Sequence, residues 1–182
     1  MQYPSPLVQY QHAGMLGEYS TLKLIALSIE TQQQLEPQGF QDALADLKEG
    51  LGILLFLYEQ DPNYSPLMMA RFYIVGWESL IDQMGASSYG AYLAPLELEW
   101  ARRTLEFDKS AADGKIAVAD ALYYQWLHSE VGGAQQQAVA TEAIQGLAEL
   151  KAAGIWNDVL ATQESNLLAS QAPVAPETPV AP

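Results

Sequence analysis

The 182 residues suit one domain of ordinary size, and at 49% hydrophobic they suffice to bury a core. Charge is sparse and one-sided: 16% of residues are charged, and 8 Lys and Arg against 22 Asp and Glu leave a net charge of −14. No basic face can be assembled to displace phosphate counterions, which argues against nucleic acid and anionic membranes, and the lack of cysteine excludes disulfides and thiolate chemistry.

Residues 1–13 read as an extended arm, because Pro4 and Pro6 oppose helix. A first amphipathic helix is predicted over Gly14 to Gln34, with Leu16, Leu24, Leu27 and Ile29 among polar residues. A second runs from Pro37 to about Glu59. There Phe40, Leu44, Leu47, Leu51, Leu54 and Leu55 step by three or four, and Asp42 and Asp46 in the early turns complement the helix dipole. DPNYSP makes a short connection, and a third helix is predicted from Pro66 to Met84.

GASSYGAY reads as a loop, with Pro95 in the first turn of a fourth helix that reaches Ala112. Asp113-Gly114 reads as a turn before a fifth helix over Lys115 to Glu130, stopped by Gly132-Gly133. A sixth spans Ala134 to Ala153, with Gly154 at C′, and a short seventh follows from Trp156 to Ser170. In residues 171–182, Pro173, Pro176 and Pro179 alternate with small side chains. This tail favours polyproline II and is a candidate for partner contact. The expected fold is all-α: residues 14–170 form an antiparallel bundle of five to seven helices.

Residues 50–77, GLGILLFLYEQDPNYSPLMMARFYIVGW, are the most apolar stretch. Their longest uncharged run is nine residues, Gly50 to Tyr58, short of the roughly 20 that span a bilayer. No membrane segment is expected, and the N-terminal residues lack the basic and apolar regions of a secretory signal. A mid-helix glycine costs about 1 kcal/mol relative to Ala. Gly50 and Gly52 are therefore candidates for close helix packing or a bend.

No motif for chemistry emerges. His12 and His128 are preceded at three residues by Gln9 and Gln125, so the Glu-x-x-His pair of a metal-binding bundle is missing. Gly50-x-Gly52 lies within a helical pattern, not after a strand, so a phosphate cradle fails on context. Glu97 and Glu99 point apart at i,i+2, while Asp42 and Asp46 share a face near a helix start. No catalytic, cofactor or metal residue is assigned. Most aromatic residues are expected in the core. The adjacent Tyr123 and Tyr124 cannot both face inward, which makes them candidate contact residues. Arg71, if buried, would find a partner in Glu59 or Asp61.

Within EPQGFQDALADL, residues Glu36, Pro37, Gln38, Gln41, Asp42, Ala43, Asp46 and Leu47 resemble the start of the second helix in head-to-tail adaptor (connector) proteins of short-tailed bacteriophages. The chain departs from that family in a longer apolar helix that carries Gly50 and Gly52. The resemblance implies a ring-forming, homo-oligomeric virion protein that docks on a portal or tail protein through its termini. The resulting expectation is a non-enzymatic assembly protein, cytoplasmic or in the virion. A helical chaperone or regulatory adaptor that holds an amphipathic segment is the alternative. A small helical enzyme with an unpatterned site comes third.

Overall fold

Prolines and glycines set most of the helix ends. The computed structural model describes residues 5–30, 37–85, 87–107 and 112–171. These form α1 (Pro6–Glu30), α2 (Pro37–Gln60), α3 (Tyr64–Gln83), a 3-10 turn (Ser87–Tyr89), α4 (Gly90–Phe107), α5 (Ala112–Leu127), α6 (Ala134–Ala152) and α7 (Asp158–Gln171). Among the described residues there is no strand. The class is all-α, and the tail prolines Pro173, Pro176 and Pro179 lie outside the described residues.

Three local expectations are corrected. Residues 6–13 are not an extended arm but the first turns of α1. Proline is accommodated at the first helical position, where its missing N–H has no intrahelical acceptor, and Ser5 caps the turn by accepting from Val8 N at 3.4 Å. Pro95 lies in the second turn of α4 rather than the first. It is exposed there, and it forgoes only the backbone bond to Ala91. Gly114 makes no turn. It is buried in the first turn of α5, and a Cβ on it would lie 3.3 Å from Leu105 Cα, so glycine lets α5 approach α4.

Other ends follow the residue chemistry. Asn63 caps α3 by accepting from Ser65 N at 3.0 Å. Gly154, at φ +74°, ends α6. Its N–H donates to Lys151 O at 3.1 Å and that of Ile155 to Leu150 O at 2.9 Å, the paired bonds of a Schellman motif.

The helices pack largely in chain order, α1 and α2 with α3, then α3 on α4, α4 on α5, α5 on α6 and α6 on α7. This produces two apolar clusters. The first joins α1 to α4 around Leu24, Phe40, Leu44, Leu47, Ile74 and Trp77. The second joins α4 to α7 around Ala101, Leu122, Ala143, Leu147, Leu160 and Leu167. Each leucine so buried contributes about 1.5–3 kcal/mol.

Glycine also fixes the spacing of α1. A Cβ on Gly50 would lie 3.1 Å from Ala13 O and 3.2 Å from Leu16 Cβ, whereas one on the exposed Gly52 would meet nothing within 4 Å. Closer still, a Cβ on Gly17 would lie 2.6 Å from ring carbons of Tyr73, whose hydroxyl donates to Gly14 O at 3.0 Å. Gly17→Ala is expected to displace that ring, break the hydroxyl bond and lower stability by about 1–3 kcal/mol. A reduced denaturant midpoint at unchanged slope would show this. An unchanged midpoint would mean that α1 and α3 have room to spare.

Candidate functional site

Two features stand apart from an ordinary helical core: an apolar face open to solvent and a group of carboxyls around the buried Glu97. The face is built on α1 and α3. Val8, Met15 and Leu22, each seven residues from the next, project outward from α1, and Met15 and Leu22 are 67% and 63% exposed. On α3, Met68, Phe72 and Val75 do the same at spacings of four and three, with Phe72 74% exposed. A groove of about 360 Å³ runs between these ridges, lined by Glu18, Thr21, Leu22, Phe72, Tyr73 and Gly76. Helical periodicity explains the geometry. Each helix buries one stripe (Ala13, Leu24 on α1; Tyr73, Ile74, Trp77 on α3) and carries a second apolar stripe on another side.

The second feature lies where α3, α4, α5 and α7 meet. Glu97 is 3% exposed within the buried stripe Leu93, Ala94, Leu98, Trp100 and Ala101. Burial, then the Glu78 and Asp120 charges, push its carboxyl up to about 9, with Arg71 opposing. Burial and the Asp82 charge push Glu78 up to about 7, while a hydrogen bond from Glu97 opposes the rise. At neutral pH Glu97 therefore stays protonated and donates to Glu78. Burial also raises Asp120, offset by Gln163 and Arg71. Gln163 Nε2 donates to Asp120 at 2.9 Å. Tyr124 is 2% exposed, and its hydroxyl is raised by burial and by the Asp82, Glu78 and Glu97 charges. Arg71 Nε, Glu97 Oε2, Tyr124 Oη and Gln163 Oε1 all lack hydrogen-bond partners in this region.

A proton shared by two carboxyls resembles an acid–base pair, with Glu97 buried and Glu78 and Asp120 half-buried. None of the four described grooves is lined by Glu78, Glu97 or Asp120. Among the described residues no three His, Asp or Glu side chains come together to hold a metal ion, and no helix is long and apolar enough to cross a membrane.

The residues singled out in the sequence fall in varied places. Tyr124 is turned inward, because its position on α5 faces α3 and α4, so it is withdrawn as a contact residue. Tyr123 is half-buried and accepts from Asn166 Nδ2 at 2.7 Å. His12 is an exposed residue of α1, while the His128 ring packs on Tyr124 at 4.3 Å and covers Gly90. Asp46 pairs with Lys23, and Asp42 accepts from Gln38 at 2.8 Å. Arg71 faces Glu97 and Asp120, not Glu59 or Asp61, because α3 turns it toward α4 and α5. The Glu97 cluster escapes a motif search, yet a signal exists. Glu97 interrupts the apolar spacing 93, 94, 97, 100, 101, as Glu78 interrupts 74, 77, 81.

No protein-family model, no curated protein and no solved structure matches the chain.

Proposed function

We propose that this chain is a non-enzymatic assembly protein that binds another protein through the outward face of α1 and α3. The observation that carries the proposal is the contiguous apolar surface of Met15, Leu22, Met68, Phe72 and Val75 around a groove. Contiguous patches of this sort mark interaction sites, whereas isolated exposed apolar residues need no explanation. The Glu36–Leu47 resemblance supports a narrower form, a phage head-to-tail adaptor whose partner is a portal or tail protein. In that form Phe40, Ala43, Leu44 and Leu47 of the resembling segment serve as core beneath the docking helices.

A photo-crosslinking residue at position 22 or 72 is expected to trap one protein partner in the producing cells. The same residue at exposed position 135 on α6 should trap none. Equal adducts from 135, or none from either ridge, would overturn the proposal. For the narrower form, the purified chain is expected to co-sediment with a portal ring, and Phe72→Asp should abolish this.

A further inference from the structure

The α1–α3 groove has the chemistry of a receptor for one kind of element. Val8, Met15 and Leu22 repeat at the seven-residue spacing of a coiled-coil seam. Two apolar ridges flanking a trough present the facing holes that a third helix fills with side chains at i, i+3, i+4 and i+7. An extended strand would need open backbone hydrogen-bonding groups, and a helix face offers none.

Charge then selects the helix. The only charged residue lining the groove is Glu18. Elsewhere Lys23, Arg102, Arg103 and Lys151 are tied to Asp46, Glu142, Glu99 and Glu164, and Arg71 faces the buried carboxyls. Most of the 8 cations are thus engaged, and the excess of the 22 acids sets the field outside. A second copy would bring −14 against −14. A cationic helix escapes that cost.

We propose that the α1–α3 groove receives a basic amphipathic helix of a partner protein, its apolar stripe between the ridges and its Lys or Arg flanks toward Glu18 and the acidic surface. This rests on the docking surface proposed above and names what fits it. The long-range field raises the rate of encounter, and the apolar stripe sets the dwell time.

The test uses the full chain and two fluorescent peptides of about 20 residues. Both repeat leucine at heptad a and d positions. One carries lysine elsewhere, the other glutamate. In an anisotropy titration the lysine peptide is expected to bind about tenfold or more tightly than the glutamate peptide, and added salt should narrow the gap. Phe72→Asp is the deciding variant, because it removes apolar contact and adds negative charge. Docking in the groove predicts about tenfold weaker binding of the lysine peptide, whereas diffuse attraction predicts equal or tighter binding and would overturn the proposal. Should both peptides bind alike and both be lost in Phe72→Asp, the face docks helices without regard to charge. The basic partner then falls while the docking surface stands. If neither binds and light scattering shows a dimer that Phe72→Asp dissociates, a second copy is the occupant and the proposal fails. Leu22→Asp repeats the measurement from the other ridge, and circular dichroism confirms that each variant is folded.

Discussion

Glu97→Gln is expected to be more stable than the parent chain at pH 8 and equal to it near pH 4. The ordinary Glu value is 4.5, and in the folded protein Glu97 is raised to about 9. Below 4.5 both folded and unfolded chains hold this proton, and the contribution of Glu97 is complete. As pH climbs above 4.5 the unfolded chain releases the proton while the folded chain keeps it. Stability then falls until the folded carboxyl itself ionises near 9. The slope approaches about 1.4 kcal/mol per pH unit for one proton, softened where Glu78, raised to about 7, titrates in the same window.

Glutamine copies the protonated acid in shape and can still donate to Glu78, but it has nothing to ionise. The variant should therefore gain on the order of 2 kcal/mol or more at pH 8, with a flatter stability curve. Chemical denaturation of both proteins across pH 4–9 reads this directly, and the carboxyls remote from Glu97 cancel in the difference, leaving Glu97 with its coupled neighbours Glu78 and Asp120. Parallel curves would show that Glu97 is ionised and compensated, and would remove the protonated pair from the structure.

That pair also shows where sequence reading stops. Helix α2 is legible from Pro37 onward because its apolar residues step by three and four and no proline intervenes. The ends of α6 are equally plain, since Gly133 and Gly154 punctuate a polar helix with a narrow apolar stripe. Pro6, Pro95 and Gly114 mislead for a common reason. Each residue type has two uses, and the choice depends on tertiary neighbours: Pro6 starts a helix, Pro95 sits on an exposed side, and Gly114 makes room for Leu105. Phe72 misleads in another way. An aromatic residue in MMARFYIVGW reads as core, and only the position of α1 reveals that Tyr73 and Trp77 point in while Phe72 points out. A helix with two apolar stripes does not declare which of them its own chain will cover. Glu97 stands out by its place in an apolar spacing, but its partners come from two other helices, α3 and α5, which no local pattern records.

Trp77→Ala is expected to have the largest effect on stability, about 3–5 kcal/mol. Trp77 is fully buried at the centre of the first apolar cluster, edge-on to Phe40 with ring centroids 5.9 Å apart. The neighbours that would have to collapse into the cavity, Phe40, Ile74 and Ile81 among them, lie on packed helices and cannot close it. Trp77→Phe separates volume from polarity. The Trp77 Nε1 has no acceptor, so replacement by Phe removes a buried donor already left unsatisfied while an aromatic ring remains near Phe40. Its cost should therefore stay under about 2 kcal/mol, with a midpoint between parent and Ala variant. The consequence reaches the outer surface, because the helix that carries Phe72 and Val75 is held by this tryptophan from behind. Loosening α3 blurs the ridge spacing, so Trp77→Ala should weaken helix docking even under conditions where the chain remains folded. Trp77→Phe should leave docking nearly intact. If Trp77→Ala lowered stability by less than about 1 kcal/mol, the tight packing drawn for α1 to α4 would be wrong. If it lowered stability as expected and left docking untouched, the groove would not depend on the seating of α3.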